Sequence, residues 1–293
     1  MHWRSIGLLS DPGGVLIGLA RRLTRTGKGK PAVTAAGQDI EVSCRLSRYS
    51  LDGLQELHSR HPDLPHPLMF AAELLYEQEA WEQLLAVTSL LRRRFSWVID
   101  GYALGSHAAR KLDRIAEAET IALAAARRFP LLAEGLVQYA VCAEGLDNPA
   151  EKARRWARVR RLHPGNRWSW IRGIDLAFER GQQAEADRLM AGMFALFEKD
   201  REAWRVYARL AERRHDPQEA ARRWLQGLDL LPGAPEFYVG ASQALRRAAD
   251  GPAAAKLIVT ASFMFPRDKD VLAERAEIEK LGLDPGPLPP PRD

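Results

Sequence analysis

Seven short phrases, RHPDLP, RRFSWV, RRFPLL, RLHPGN, LFEKDR, DLLPGA and MFPRDK, recur along this chain of 293 residues. Aligned on their central residue, they place Pro62, Ser96, Pro130, Pro164, Glu198, Pro232 and Pro266 34 residues apart at every step. A fixed period constrains the fold more than composition does. Each unit must repeat one local structure and bury its apolar face against a neighbour.

The residues between these junctions keep the same register. One column reads Leu68, Tyr102, Leu136, Trp170, Trp204 and Tyr238, always large and apolar or aromatic. Four residues on stand Ala72, Ser106, Ala140, Ile174, Ala208 and Ser242, small except at Ile174. Later columns hold Leu84, Ala118, Lys152, Ala186, Ala220 and Ala254, then Thr88, Ala122, Trp156, Met190, Trp224 and Ile258, then Leu91, Ala125, Val159, Met193, Gly227 and Ala261. Large and small residues four apart share one helical face. The small ones let helix backbones approach while the large ones fill the space to the neighbour. Proline closes the second helix of each unit and starts the turn to the next.

This pattern resembles the tetratricopeptide repeat, a helix-turn-helix unit of 34 residues. The best single match is 201–234, with Trp204, Tyr207, Ala208, Ala220, Trp224 and Pro232. The resemblance implies an all-α, right-handed superhelical solenoid of antiparallel helix pairs, with six repeats over 65–268. Ile174, Lys152 and Glu198 depart from the pattern, which predicts looser or displaced helix contacts over 150–200. Residues 48–64 read as a leading half-repeat with Ser50 as N-cap, and 269–283 as a solvated capping helix. The tail 284–293, DPGPLPPPRD, reads as extended polyproline-like chain.

Composition limits the function classes. The net charge is +5, and residues 1–30 account for all of it, with six basic groups against Asp11 alone. A nucleic-acid binder carries its surplus across the binding domain, so no nucleic acid is expected as a partner. Cys44 and Cys142 are too few for a disulfide framework or a zinc site. No apolar run reaches the length of a membrane span, so a cytoplasmic protein is the expectation. Richness in Ala and Arg points to a GC-rich bacterial source.

Catalytic and metal motifs are absent: no HExxH, no paired CxxC, no GxSxG, no complete phosphate loop. The seven histidines show no pairing four residues apart on a helix, and His58, His61 and His66 straddle a helix end. No catalytic residue, metal or cofactor is expected. A third reading, an enzyme whose catalytic part lies in 1–60, is disfavoured because that stretch is short for a domain.

In repeats of this family the first helix of each pair lines a concave binding face. The register then assigns His107, Arg110, Lys111, Trp168, Phe178, Arg205, Arg209, Arg213, Arg246 and Arg247 to that face, apolar and acidic in the middle and basic towards the C-terminus. Some family members clamp a peptide carboxylate with lysines and asparagines there, and the matching positions hold no such pair. An acidic or extended partner segment suits the arginines, with Trp168 and Phe178 as aromatic anchors. The same arginines also suit pairing with Glu202, Glu212 and Glu236. Arg92, Arg93, Arg94, Arg127, Arg128, Arg160 and Arg161 fall near second-helix ends, where cations complement the helix dipole.

The arm over residues 1–47 contains DPGGVLIGLARRLTR, a short amphipathic helix with Arg21, Arg22, Arg25, Lys28 and Lys30 on or just beyond it. Such a helix suits an anionic membrane surface, a partner, or a cap on the first repeat. The sequence therefore points to a protein-binding scaffold or adaptor. The alternative is an accessory or regulatory subunit of a bacterial envelope or polysaccharide-producing complex, peripheral to the inner membrane through the arm.

Overall fold

The computed structural model describes residues 51–283. The basic arm with Arg21, Arg22, Arg25, Lys28 and Lys30, together with Cys44, Ser50 and the proline-rich tail, lies outside the described residues.

Within them the chain is all α: fourteen helices, one short 3-10 turn and no strand. It divides into two compact units between Gln182 and Gln183. The first unit contains α1 (Leu51–Arg60), α2 (His66–Glu77), α3 (Trp81–Arg94), α4 (Asp100–Lys111), α5 (Ile115–Arg128), α6 (Glu134–Cys142), α7 (Pro149–Leu162) and α8 (Arg167–Glu179). The second contains α9 (Gln183–Phe197), α10 (Arg201–Arg213), α11 (Pro217–Leu230), α12 (Pro235–Arg247), α13 (Gly251–Met264) and α14 (Lys269–Lys280). In each unit, helices adjacent in sequence pack against one another. In the second unit α9 meets α10 over fewer residues than its other sequential neighbours share.

The turn inside each pair explains the constancy of the period. Glu79, Asp113, Gly181, His215 and Ala249 all adopt positive φ, each at the same register position. The amide after each donates five residues back, as Ala80 N to Leu75 O at 2.9 Å and Asp250 N to Leu245 O at 2.9 Å. The positive-φ residue itself donates three back, as His215 N to Glu212 O at 2.9 Å. Together these bonds close the first helix in a left-handed cap that satisfies its last carbonyls. The third period departs from this. There the 3-10 turn Ala143–Gly145 and extended Leu146 carry the chain into α7, and Asn148 caps it by accepting from Glu151 N at 3.0 Å.

Cores form where the columns predict. Ala72, Ser106, Ala140, Ala208 and Ser242 are fully buried, and Ile174 fits at 1% exposure despite its size. The second-helix columns Thr88, Ala122, Trp156, Met190, Trp224 and Ile258 are buried throughout. Each large apolar side chain so buried contributes about 1.5–3 kcal/mol. Lys152 remains half-buried where alanine packs in the neighbouring periods. Gly135 allows the tightest approach, since a Cβ there would lie 2.3 Å from the Ala126 backbone nitrogen on α5.

The proline junctions have a polar device of their own. The Trp170 indole Nε1 donates to Pro164 O at 2.8 Å, and Trp204 Nε1 donates to Glu198 O at 2.7 Å. The Tyr238 hydroxyl reaches Pro232 O at 3.3 Å, and the Tyr102 hydroxyl reaches Ser96 O at 3.4 Å. At its four aromatic positions the first column therefore uses the polar tip of the ring to tie down the turn carbonyl six residues earlier. This corrects the expected roles in NRWSW. Trp170 is only half-buried across the turn, whereas Trp168, expected to face the groove, is buried at 8% exposure.

Candidate functional site

The first-helix faces differ between the two units. In the first unit the expected binding histidine is internal. His107 is 1% exposed, with its ring centroid 5.1 Å from Tyr76 and 5.5 Å from Trp81, and Arg110 Nη2 lies 3.1 Å from its Nδ1. Lys111 is exposed and places its ammonium 5.3 Å from the Trp81 ring centre. His107 and Arg110 thus belong to an aromatic packing cluster that joins α2, α3 and α4, and Lys111 covers its edge.

Further along this unit an acidic and basic cluster closes the face. Arg172 donates to Glu144 through Nη2 at 2.6 Å and Nε at 3.1 Å, and lies 3.4 Å from Asp175. Burial disfavours the Arg172 charge, yet its hydrogen bonds to Glu144 and the carboxylates nearby hold its pKa above the ordinary value. Glu144 also accepts from Trp156 Nε1 at 2.7 Å. Phe178 is half-buried on the same helix, α8. Cys142 is 2% exposed, and burial pushes its thiol pKa up, so it is a poor nucleophile.

In the second unit the arginines of α10 and α12 form a mosaic with carboxylates. Arg205 pairs with Glu202 on its own helix. Arg246 makes a two-pronged bond to Glu274 of α14, at 2.9 and 3.1 Å, and Glu274 is itself buried. Glu236 pairs with Arg201 at 3.1 Å. Arg247, like Arg201, is open, with 59% of its side chain exposed and Glu212 3.8 Å away. Arg209 and Arg213 are half-buried on α10 and engaged with neighbours. A cavity of about 350 Å³ is lined by Glu212, His215, Asp216, Pro217, Ala220, Ala244 and Arg247.

Two arginines that the register did not single out prove to be the most deeply structural. Arg155 and Arg223, 68 residues apart, are each 8% exposed. Each guanidinium lies 3.9 Å from a tyrosine ring centre, Tyr139 or Tyr207, and donates to that tyrosine's carbonyl at 2.9 Å. Each also bonds a glutamate one turn earlier, Glu151 or Glu219, at 2.7 Å. Hydrogen bonds from Arg154 and Arg155 pull the Glu151 carboxyl down to about 2. Those from Arg222 and Arg223 do the same to Glu219. The signal lay in the near-duplicate phrases PAEKARRW and PQEAARRW. Among the described residues no cluster of His, Cys, Asp or Glu could hold a metal ion, and no helix is long and apolar enough to cross a membrane.

No family model matches the chain, and neither does any curated protein sequence. Among solved structures the chain is similar to yeast Tom70, at 13% identity and a TM-score of 0.59 over 88% of this chain and 59% of that one. It is similar to the C-terminal part of a TPR repeat-containing protein from Cytophaga hutchinsonii, at 11% identity and a TM-score of 0.58, over 81% of this chain and 98% of that one. A tetratricopeptide repeat protein from Parabacteroides merdae matches at 11% identity and a TM-score of 0.53, over 82% and 99%. The chain spans less than two thirds of Tom70 and 54% of the matching chain in the APC/C hetero-tetramer Cut9–Hcn1. At these identities the likeness shows the fold, which is TPR-like.

Proposed function

We propose that this TPR-like chain is a non-catalytic scaffold that holds an extended, acidic segment of a partner protein on the α10 and α12 face of its second unit, and that it works in the cytoplasm. One observation carries the reading. Arg213 and Arg247 end those two helices one repeat apart, and Arg247 borders the cavity that Glu212, His215 and Asp216 also line. An acidic segment crossing both helix ends meets Arg213 and Arg247 in turn, and the cavity has room for one of its side chains. Pairing among Arg205, Glu202, Arg246 and Glu274 keeps the rest of the face rigid. A disordered segment then bears the ordering entropy while the scaffold changes little.

The test is to pan a displayed library of unstructured peptides against the full chain. Sequences rich in Asp and Glu should be enriched, and the double variant Arg213→Glu/Arg247→Glu, checked for unchanged Tm, should lose affinity for them by at least about tenfold. Equal enrichment by the double variant would remove this face from the function.

A further inference from the structure

The arginines that close the second helices of the first unit fall into two sets. Arg92 and Arg160 reach across to the next helix and donate to the carbonyls of Gly101 and Ser169. They fill the space over Gly105 and Gly173, where a Cβ would meet their Nη1 atoms at 2.0 and 2.2 Å. Arg93, Arg94, Arg127, Arg128 and Arg161 are different. All five are exposed, and none is ion-paired among the described residues. They stand in register, Arg93, Arg127 and Arg161 in one row and Arg94 and Arg128 in another, so three successive junctions present one basic edge.

Helix-dipole complementation does not account for them. In the second unit α9, α11 and α13 end at the corresponding junctions with no basic residue in their last turns. Those helices form equally well, so the fold does not require the charge. Large apolar side chains also stand exposed at this edge of the first unit, as Leu196, Leu230 and Phe263 do at the second-unit junctions, but here they lie beside the arginines. Trp97 follows Arg94 at 59% exposure, Leu131 follows Arg128 at 90%, and Leu162 follows Arg161 at 51%.

We propose that this edge of the first unit docks on an anionic phospholipid surface. The arginines engage headgroup phosphates, while Trp97 and Leu131 insert at the boundary of the hydrocarbon. A bilayer interface is the surface that offers both phosphate and an apolar layer a few ångströms beyond it. A nucleic-acid backbone would match the arginines and leave Leu131 in water. The proposal does not depend on the α10 and α12 face, and it uses residues separate from the arm.

The experiment is co-sedimentation of the full chain with phosphatidylcholine vesicles, with and without phosphatidylglycerol. The wild type should bind only the anionic vesicles. Each basic residue near such a surface contributes about fivefold in partitioning, so Arg94→Gln/Arg127→Gln/Arg128→Gln/Arg161→Gln should lower it by about 100-fold or more. Leu131→Asp, with all arginines intact, should lower it by about tenfold. Both variants should keep the wild-type Tm, since the replaced side chains are exposed. Unchanged partitioning of the quadruple variant would overturn the proposal and assign any binding to another part of the chain. Leu131→Asp binding like wild type, together with arginine-dependent retention of a single-stranded oligonucleotide, would overturn it in favour of a phosphodiester partner.

Discussion

The Trp204 indole Nε1 donates to the carbonyl of Glu198 at 2.7 Å, and Trp170 makes the same bond to Pro164 one repeat earlier. Glu198 stands where most junctions carry proline, so the aromatic tether is kept even where the proline is not. The bond holds the second-helix exit against the first turn of the next helix. It converts a chain break into a fixed corner.

Trp204→Phe keeps an aromatic ring beside Phe194, whose centroid is 4.9 Å away, and removes the N–H donor together with the second ring of the indole. Stability should fall by about 1 kcal/mol, read from urea unfolding followed by far-ultraviolet circular dichroism. Tyr238→Phe, whose bond is 3.3 Å, should cost less. Equal losses at the two positions would show that the tether length does not matter.

Gly135 and Gly105 look alike in sequence and should respond differently to alanine. At Gly135 the added Cβ meets backbone, 2.3 Å from Ala126 N, so α5 and α6 must separate at a cost of about 3 kcal/mol. At Gly105 it meets the far end of Arg92, which can swing aside and lose its bond to Gly101. Better helix propensity offsets that loss, and the net change should stay within about 1 kcal/mol. Thermal unfolding of the two variants side by side checks the contrast.

Ala249 sits at φ 64° in the turn between α12 and α13, where a Cβ is unfavourable. Gly181 occupies the equivalent turn without that strain. Ala249→Gly should stabilise the chain by about 1 kcal/mol, seen as a raised Tm. A lowered Tm would show that the entropy lost by glycine on folding outweighs the relieved strain.

Glu134 is 5% exposed at the start of α6, and burial raises its pKa above the ordinary value of 4.5. A carboxyl with a raised folded-state pKa favours the folded state only while protonated. Its contribution is full below the unfolded pKa and is lost as pH rises through the folded one. Glu134→Gln should therefore raise Tm at neutral pH, and the gain should vanish towards pH 4. A gain independent of pH would trace to packing rather than to the buried charge.

The helix boundaries follow the period that the sequence shows. First helices end at Glu77, Lys111, Glu179, Arg213 and Arg247, and second helices begin at Trp81, Ile115, Pro149, Gln183, Pro217 and Gly251, each in strict register. Buried columns such as Ala72 to Ser242 were legible for the same reason, since a small side chain recurring at one helical position marks a close helix contact. The side of the helix that a tryptophan takes was less legible. Trp168 and Trp170 are two residues apart, and the register assigned Trp170 to the core and Trp168 to the groove. In the structure the indole N–H of Trp170 needs a partner and finds it at the turn, so Trp168 fills the interior.

The sequence by itself determined the repeat, the helix pairs and the columns that bury, because these depend on spacing and side-chain size within one period. Tertiary structure alone decided what the arginines do. Arg155 and Arg223 are buried against tyrosine rings, Arg92 and Arg160 bridge to the next helix, Arg246 is locked to Glu274, and Arg94 and Arg128 stand open. A guanidinium on a long flexible stem takes whichever carbonyl, carboxylate or ring the neighbouring repeat places within reach. The Glu151–Arg155 and Glu219–Arg223 pairs, four residues apart, are the exception. Most of these partners stand on another helix, 9 to 28 residues away, where spacing within one helix does not report them.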